Sequence, residues 1–211
     1  MNISTTGYQF ETLQLVSDSE AFCYDMNMSK NKLVLLVGQP GSGKSSIASY
    51  LAEKYGFTII LVSDLIRDYA KEKSYKLKSR QDYIDVHTLL LRDKGKFFIT
   101  DKVMEHEGLV CVDGIRVPAH IEKLQKQGAL AIGLTAPISI RFERAMKRAG
   151  LLDKKSLLDF EQEEIIEAKN QDIFVQNTNT ALLMASEYVD TTGSTQSVEK
   201  LIDVIILSIR L

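Results

Sequence analysis

Cysteine is nearly absent from this chain of 211 residues: Cys23 and Cys111 are the two present. They lie far apart and make no metal spacing, so a disulfide framework is excluded and a reduced environment is expected. Histidine is almost as scarce, and His87, His106 and His120 form no close pair in sequence, which removes a sequence-local zinc site. No apolar run approaches the roughly 18 residues a transmembrane helix needs. The first residues carry Glu11, Asp18 and Glu20 and no apolar leader core, so no signal peptide is expected and the expected compartment is cytoplasmic. Neither sign of charge dominates: 26 Lys and Arg against 28 Asp and Glu leave a formal −2. That balance argues against a general nucleic-acid binder, and neither nucleic acid nor membrane is expected as a partner. There is no repeat and no low-complexity tract.

What is present has globular proportions. The composition is 45% apolar and 26% charged, which excludes a disordered chain. At roughly 150 residues per domain, the length suits one domain with an insert. Residues 1–31 lack a sustained period and read as an extension, with a short strand expected near Gln9–Val16. Residues 32–211 alternate apolar runs with helical spacing. Strands are expected at Leu33–Val37, Phe57–Val62, Leu109–Val112, Ala129–Leu134 and Tyr188–Val189. Helices follow them near Ile47–Tyr55, from Asp64, near Pro118–Gln127, near Ile138–Ala149 and over Ser197–Ile209. Strands alternating with helices predict an α/β fold of three layers, with about five parallel strands and helices on both faces. Residues 64–107 exceed a simple crossover and read as a helical insert with helices around Gln81–Arg92 and Phe98–His106. Residues 149–156 read as a short lid before an acidic helix that starts near Ser156.

The first strand opens onto Gly38-Gln39-Pro40-Gly41-Ser42-Gly43-Lys44-Ser45. This satisfies G-x-x-x-x-G-K-[ST] in the strand-to-helix context that the motif requires. Gly38, Gly41 and Gly43 let backbone N–H groups converge on phosphate oxygens. The following helix points its positive end at the same anion. Lys44, expected to face solvent when no nucleotide is bound, reaches β- and γ-phosphates. The Ser42 amide belongs to the cradle, the Ser45 hydroxyl is a Mg²⁺ ligand, and Ser46 adds a donor near the α-phosphate. Asp113 ends the third strand, where carboxyl ends converge on a ligand crevice, and is the second metal-side group.

Arginine is rare, and Arg67, Arg80, Arg92, Arg116, Arg141, Arg144 and Arg148 all fall between residues 67 and 148. Guanidinium groups bind phosphate in a fork and stay charged. Arg67 follows the second strand and Arg116 the third, so both are expected at the crevice edge. Arg144 and Arg148, spaced i,i+4, share a helix face. Arg92 and Arg141 read as surface arginines paired with Asp68, Asp82 or Glu143. Asp64, at the end of the second strand, is either a general base or a helix N-cap.

Gly38–Ser45, Ser63-Asp64-Leu65-Ile66-Arg67, Asp113-Gly114-Ile115-Arg116 and Arg144-Ala145-Met146-Lys147-Arg148 occur in this order. Together they resemble the nucleoside monophosphate kinase group of P-loop kinases, including adenylate kinase and dephospho-CoA kinase. The likeness is greatest to uncharacterised adenylate-kinase-like proteins, with Arg141–Arg144 and Gly193-Ser194 adding to it, and it covers about residues 32–209. The resemblance implies ATP and Mg²⁺ as cofactors and a small phosphate-bearing acceptor as partner. Arg67, Arg116 and Arg80 would hold the acceptor phosphate. Arg144 would lie against ATP, Arg148 would approach the transferring group, and Thr191–Ser194, with Gly193, would pass beside the adenine. Catalysis would fall to Lys44, Arg116, Arg144, Arg148 and, where it acts, Asp64. Two departures stand out: residues 150–187 hold lysines instead of lid arginines, and Ile115 replaces the Phe-Pro of adenylate kinase. The expected activity is ATP- and Mg-dependent transfer of a γ-phosphoryl group to a nucleoside monophosphate or similar nucleotide. The alternatives are dephospho-CoA kinase-like transfer to a hydroxyl, with Asp64 as base, and a P-loop NTPase acting as a switch or adaptor.

Overall fold

The computed structural model describes residues 31–149, 156–169 and 171–209. The strand expected near Gln9–Val16 and most of the lid at 149–156 lie outside them. The five strands are β1 (Asn31–Val37), β2 (Thr58–Leu61), β3 (Gly108–Asp113), β4 (Leu130–Thr135) and β5 (Glu187–Asp190). They pair in parallel in the order β2-β3-β1-β4-β5. The chain builds outward from β1 in both directions, which puts the switch point of the sheet beside the end of β1.

Alternation along β1 separates two cores. Leu35 and Val37 point into one with Ile66, Leu90, Ile99 and Ile121. Val34 and Leu36 point into the other with Ile47, Leu51, Val198 and Ile202. The first core is covered by α2 (Val62–Glu72), α3 (Arg80–Lys94), α4 (Phe98–Met104), α5 (Pro118–Lys126) and α8 (Thr178–Leu183). The second lies under α1 (Lys44–Tyr55) and α9 (Thr195–Ser208). A strand whose two faces both meet helices must be apolar throughout, which is why Val34–Val37 has no polar position. α6 (Ile138–Ala149) and α7 (Leu157–Ala168) complete the set.

Local chemistry places the boundaries. Gly56 closes α1 in the left-handed region at φ 75. Ser79 with Asp82 forms a capping box on α3, and Ser156 with Asp159 forms one on α7. Pro118 opens α5. Two details depart from the sequence expectation. α2 begins at Val62, with Leu61 as its N-cap residue, so β2 runs into the helix without a loop and Asp64 is no cap. α8 was not expected, because six residues are too few for a helical period to be seen.

Candidate active site

Strand register builds the phosphate side of the site. Leu36 pairs with Asp113 across β1 and β3, so the turn after β1 and the end of β3 emerge together. The Ser45 hydroxyl then lies 3.0 Å from Asp113 Oδ2, donating to it. A small hydroxyl at the start of α1 and a buried carboxylate at the end of β3 form the donor pair a hard divalent cation takes. Gly41 has φ 79 and Gly43 has φ 95, values that an L side chain rarely adopts. A Cβ on Gly41 would come within 2.2 Å of the Arg141 carbonyl oxygen. The Ser42 Oγ is buried and makes no hydrogen bond among the described residues. These features fit a phosphate cradle at the N-terminus of α1.

Lys44 does not face solvent in this structure. It is 9% exposed, and its Nζ donates to the Gly38 carbonyl at 2.7 Å and the Gln39 carbonyl at 3.1 Å. The ammonium is desolvated and takes the turn's own carbonyls as partners. Ser46 is exposed at the start of α1.

Behind the turn, Arg144 Nη2 donates to the Thr191 carbonyl at 2.6 Å and its Nη1 to the Thr191 hydroxyl at 3.0 Å. That hydroxyl also donates to the Ser42 carbonyl at 3.0 Å, and a Cβ on Gly43 would come 3.8 Å from the same side chain. Arg144 therefore braces the cradle against the chain leaving β5. Gly193 sits in the exposed turn before Ser194, the N-cap of α9. Arg148 belongs to α6, but its side chain lies outside the described set.

A cavity of about 610 Å³ extends from Lys44, Ser45 and Asp113 to Arg80, Arg116 and Tyr83. Arg116 makes no hydrogen bond or ion pair with its side chain among the described residues, and burial lowers its pKa. Arg80, the first residue of α3, is ion-paired with Glu167 through Nη2, while Glu163 lies 3.7 Å from Nη1. Its Nε and Nη1 are buried without a hydrogen-bond partner among the described residues. Burial works to raise the Glu167 carboxyl, but Arg80, Arg116 and the Thr178 hydroxyl and amide outweigh it and hold its pKa below the usual range. The far wall thus carries two cationic side chains, Arg80 and Arg116, the charge that an anion would complement.

The structure does not bring every expected residue to this cavity. Arg67 and Asp64 are ion-paired with each other across one turn of α2, with side chains 47% and 52% exposed, and neither lines the cavity. Among the described residues Arg67 reaches the site through Tyr83, whose hydroxyl accepts from its Nη1 at 3.5 Å. Arg141 is not the surface arginine expected from sequence: it is 5% exposed and forms a fork on Glu164. Its Nε also donates to the Ala136 carbonyl at 2.9 Å. Arg92 is exposed as expected, beside Asp93. His87 and His120, distant in sequence, meet edge to face at 6.3 Å in the core. Among the described residues no cluster of three or more potential ligands could hold a metal.

Sequence reasoning missed Tyr83, Phe160, Glu163 and Gln176 on the cavity wall. No short motif marks them, since they arrive from α3, α7 and the loop before α8. The spacing of Phe160, Glu163, Glu164 and Glu167 on one helical face was the one available signal.

Comparison with known proteins bears on this geometry. A family model described as an AAA domain matches residues 37–127. A cytidylate kinase of Pyrococcus horikoshii is 32% identical over 139 residues, covering 65% of this chain and 69% of that protein. The chain belongs to the nucleoside monophosphate kinase group of P-loop kinases. A UPF0200 protein of Sulfurisphaera tokodaii is 34% identical over 126 residues, covering 57% of this chain and 68% of that protein. The same fold is seen in the shikimate kinase of Acinetobacter baumannii, at TM-score 0.54 and 18% identity, over 86% of this chain and 96% of that one. The shikimate kinase of Bacteroides thetaiotaomicron gives TM-score 0.56 at 16% identity, over 87% of this chain and all 100% of that one. The kinase is accordingly an enzyme of the phosphotransferase class, and ATP, typically with Mg²⁺, is what its family implies. Among the described residues, no helix is long and apolar enough to cross a membrane.

Proposed function

We propose that this kinase transfers the γ-phosphoryl group of ATP to the phosphate of a nucleoside monophosphate or similar nucleotide. One observation carries the reading. A single cavity joins the Lys44–Ser45–Asp113 cradle to a second wall that carries two cationic side chains, Arg80 and Arg116. A nucleotide switch needs the first of these and has no use for the second.

In this reading Gly38, Gly41, Ser42, Gly43, Lys44, Ser45 and Ser46 hold the triphosphate of ATP, with Arg144 bracing the turn. Ser45 and Asp113 would hold Mg²⁺, which when bound supplies charge neutralisation on the phosphates. Arg116 and Arg80 take the acceptor phosphate, Arg67 supports them through Tyr83, and Arg148 serves the transferring group from α6. An acceptor phosphate is already an anionic nucleophile, so positioning and charge neutralisation suffice and no general base is required. Asp64, on which transfer to a hydroxyl would rely, is exposed and tied to Arg67, which favours the phosphate acceptor. The stretch 64–107, with α2 to α4, is then the acceptor-side insert.

ATP consumption measured across all ribo- and deoxynucleoside monophosphates and dephospho-CoA tests the proposal. Stimulation by one or a few of the monophosphates is expected. Stimulation by dephospho-CoA alone, or turnover indifferent to every acceptor, overturns it.

A further inference from the structure

α7 presents one face with Phe160, Glu163, Glu164 and Glu167, at successive helical turns. Two arginines from different parts of the chain end on it. Arg141 of α6 puts its fork on Glu164, with Nη2 donating to Oε2 at 3.0 Å. The same guanidinium lies 5.9 Å from the Phe160 ring centre and reaches the Pro40 carbonyl at 3.4 Å through Nη1. The Arg141 backbone is the surface against which Gly41 closes. One turn further on, Glu167, with its side chain 4% exposed, accepts from Arg80 and from the Thr178 amide at 2.9 Å and hydroxyl.

We propose that Glu164 and Glu167 are positioning residues that divide the two substrate sites between them. Glu164 fixes the ATP cradle through Arg141, and Glu167 fixes the acceptor wall through Arg80. This inference rests on the two-site kinase reading. The physical basis is the cost of an uncompensated buried charge. Among the described residues Arg141 has one carboxylate to balance it, Glu164, and without that partner its guanidinium must move toward water. Its bond to Pro40 and the backbone surface under Gly41 move with it. Displacements of about 1 Å at a phosphate site are enough to change binding and rate. Arg80 is paired with Glu167 and has Glu163 3.7 Å from its Nη1, so loss of Glu167 is expected to draw its guanidinium toward Glu163 and alter the acceptor wall.

The test uses the full chain, with equilibrium titration of MgATP as the main readout. Glu164→Gln is expected to raise the dissociation constant for MgATP about tenfold, and Glu167→Gln to leave it within about twofold. In steady-state kinetics Glu167→Gln is expected to raise the KM of the best monophosphate in the screen with little change in kcat. Both substitutions remove one buried carboxylate from one helix, so a merely structural role would shift both melting temperatures without separating the substrates. Should Glu164→Gln fail to fold, the paired change Arg141→Met with Glu164→Leu replaces the ion pair by apolar volume and keeps the helix packed. That variant is expected to melt near wild type and still bind MgATP about tenfold more weakly. Equal shifts in MgATP affinity from both glutamine variants, no shift from either, or wild-type affinity in the apolar pair would overturn the inference. Failure of the kinase reading looks different: wild-type turnover that no acceptor stimulates, with the MgATP comparison still readable.

Discussion

Replacing Arg116 by methionine is expected to move stability and function in opposite directions. Among the described residues the Arg116 guanidinium forms no hydrogen bond or salt bridge, and burial lowers its pKa. Glu167 and Asp113 favour its charge, while Arg80 opposes it. A lowered pKa on a base means that the fold disfavours the charged form, so an apolar side chain of similar length relieves a penalty. Removing one partner of a fully paired buried arginine ordinarily costs about 3–5 kcal/mol, or roughly 6–20 °C of melting temperature in a domain of this size. Arg116→Met is expected to lose none of this and to gain about 1–4 °C. The acceptor loses a charge-assisted contact worth about 1.5–3 kcal/mol, roughly tenfold to a hundredfold in its KM. The dissociation constant for MgATP stays within about twofold. The assays are thermal unfolding, MgATP titration, and initial rates with both substrates varied. A melting temperature lower by 6 °C or more, on the scale above, would show that the guanidinium is structural. An unchanged acceptor KM would refute its place on the acceptor wall.

Lys44→Ala should lower turnover by about 10²–10³ and also lower the melting temperature by a few degrees, since its Nζ donates to two cradle carbonyls; unfolding and turnover measured on the same sample check both. Asp113→Asn should raise the Mg²⁺ concentration needed for half-maximal rate about tenfold or more, and an unchanged Mg²⁺ titration would remove it from the metal site. Gly41→Ala should abolish tight MgATP binding, because its Cβ meets the Arg141 carbonyl at 2.2 Å in a left-handed residue; wild-type affinity by calorimetry would contradict the geometry. His87 is held neutral by burial, with a pKa depressed to about 3. The unfolded chain therefore binds more protons than the fold between about pH 6.5 and 3, and stability must fall as pH falls through that window, by up to about 1.4 kcal/mol per unit. His87→Leu should flatten the melting temperature between pH 6 and 4, and an unaltered slope would assign the acid sensitivity elsewhere.

The parallel sheet and the cradle were legible in the sequence because both are local. Apolar runs of four to six residues and a glycine turn carry their own geometry. The second wall was half legible. Arg116 was found because it follows a strand end, and strand ends converge. Arg67 follows one too, yet β2 passes into α2 without a loop, which turns Arg67 outward into a pair with Asp64. Arg141 was misread because its partner, Glu164, is 23 residues away on another helix. Burial of an arginine is decided by such distant pairings, and no local pattern records them. The acidic face of α7 shows the same limit from the other side: its spacing was visible, but what it would meet was not.

Cys111 lies in the middle of β3, two residues before Asp113 and fully buried between the sheet and α1. Burial pushes its thiol well above the usual range, so in the closed fold it presents neither access nor thiolate to a reagent. With Cys23 changed to serine, reaction of this one sulfur becomes a clock for opening of the central strand. Whatever binds at the strand ends must slow that clock by mass action, about a hundredfold at a ligand concentration a hundred times its dissociation constant. A silent residue in the core thus provides a way to weigh candidate substrates, one by one, without requiring any of them to react.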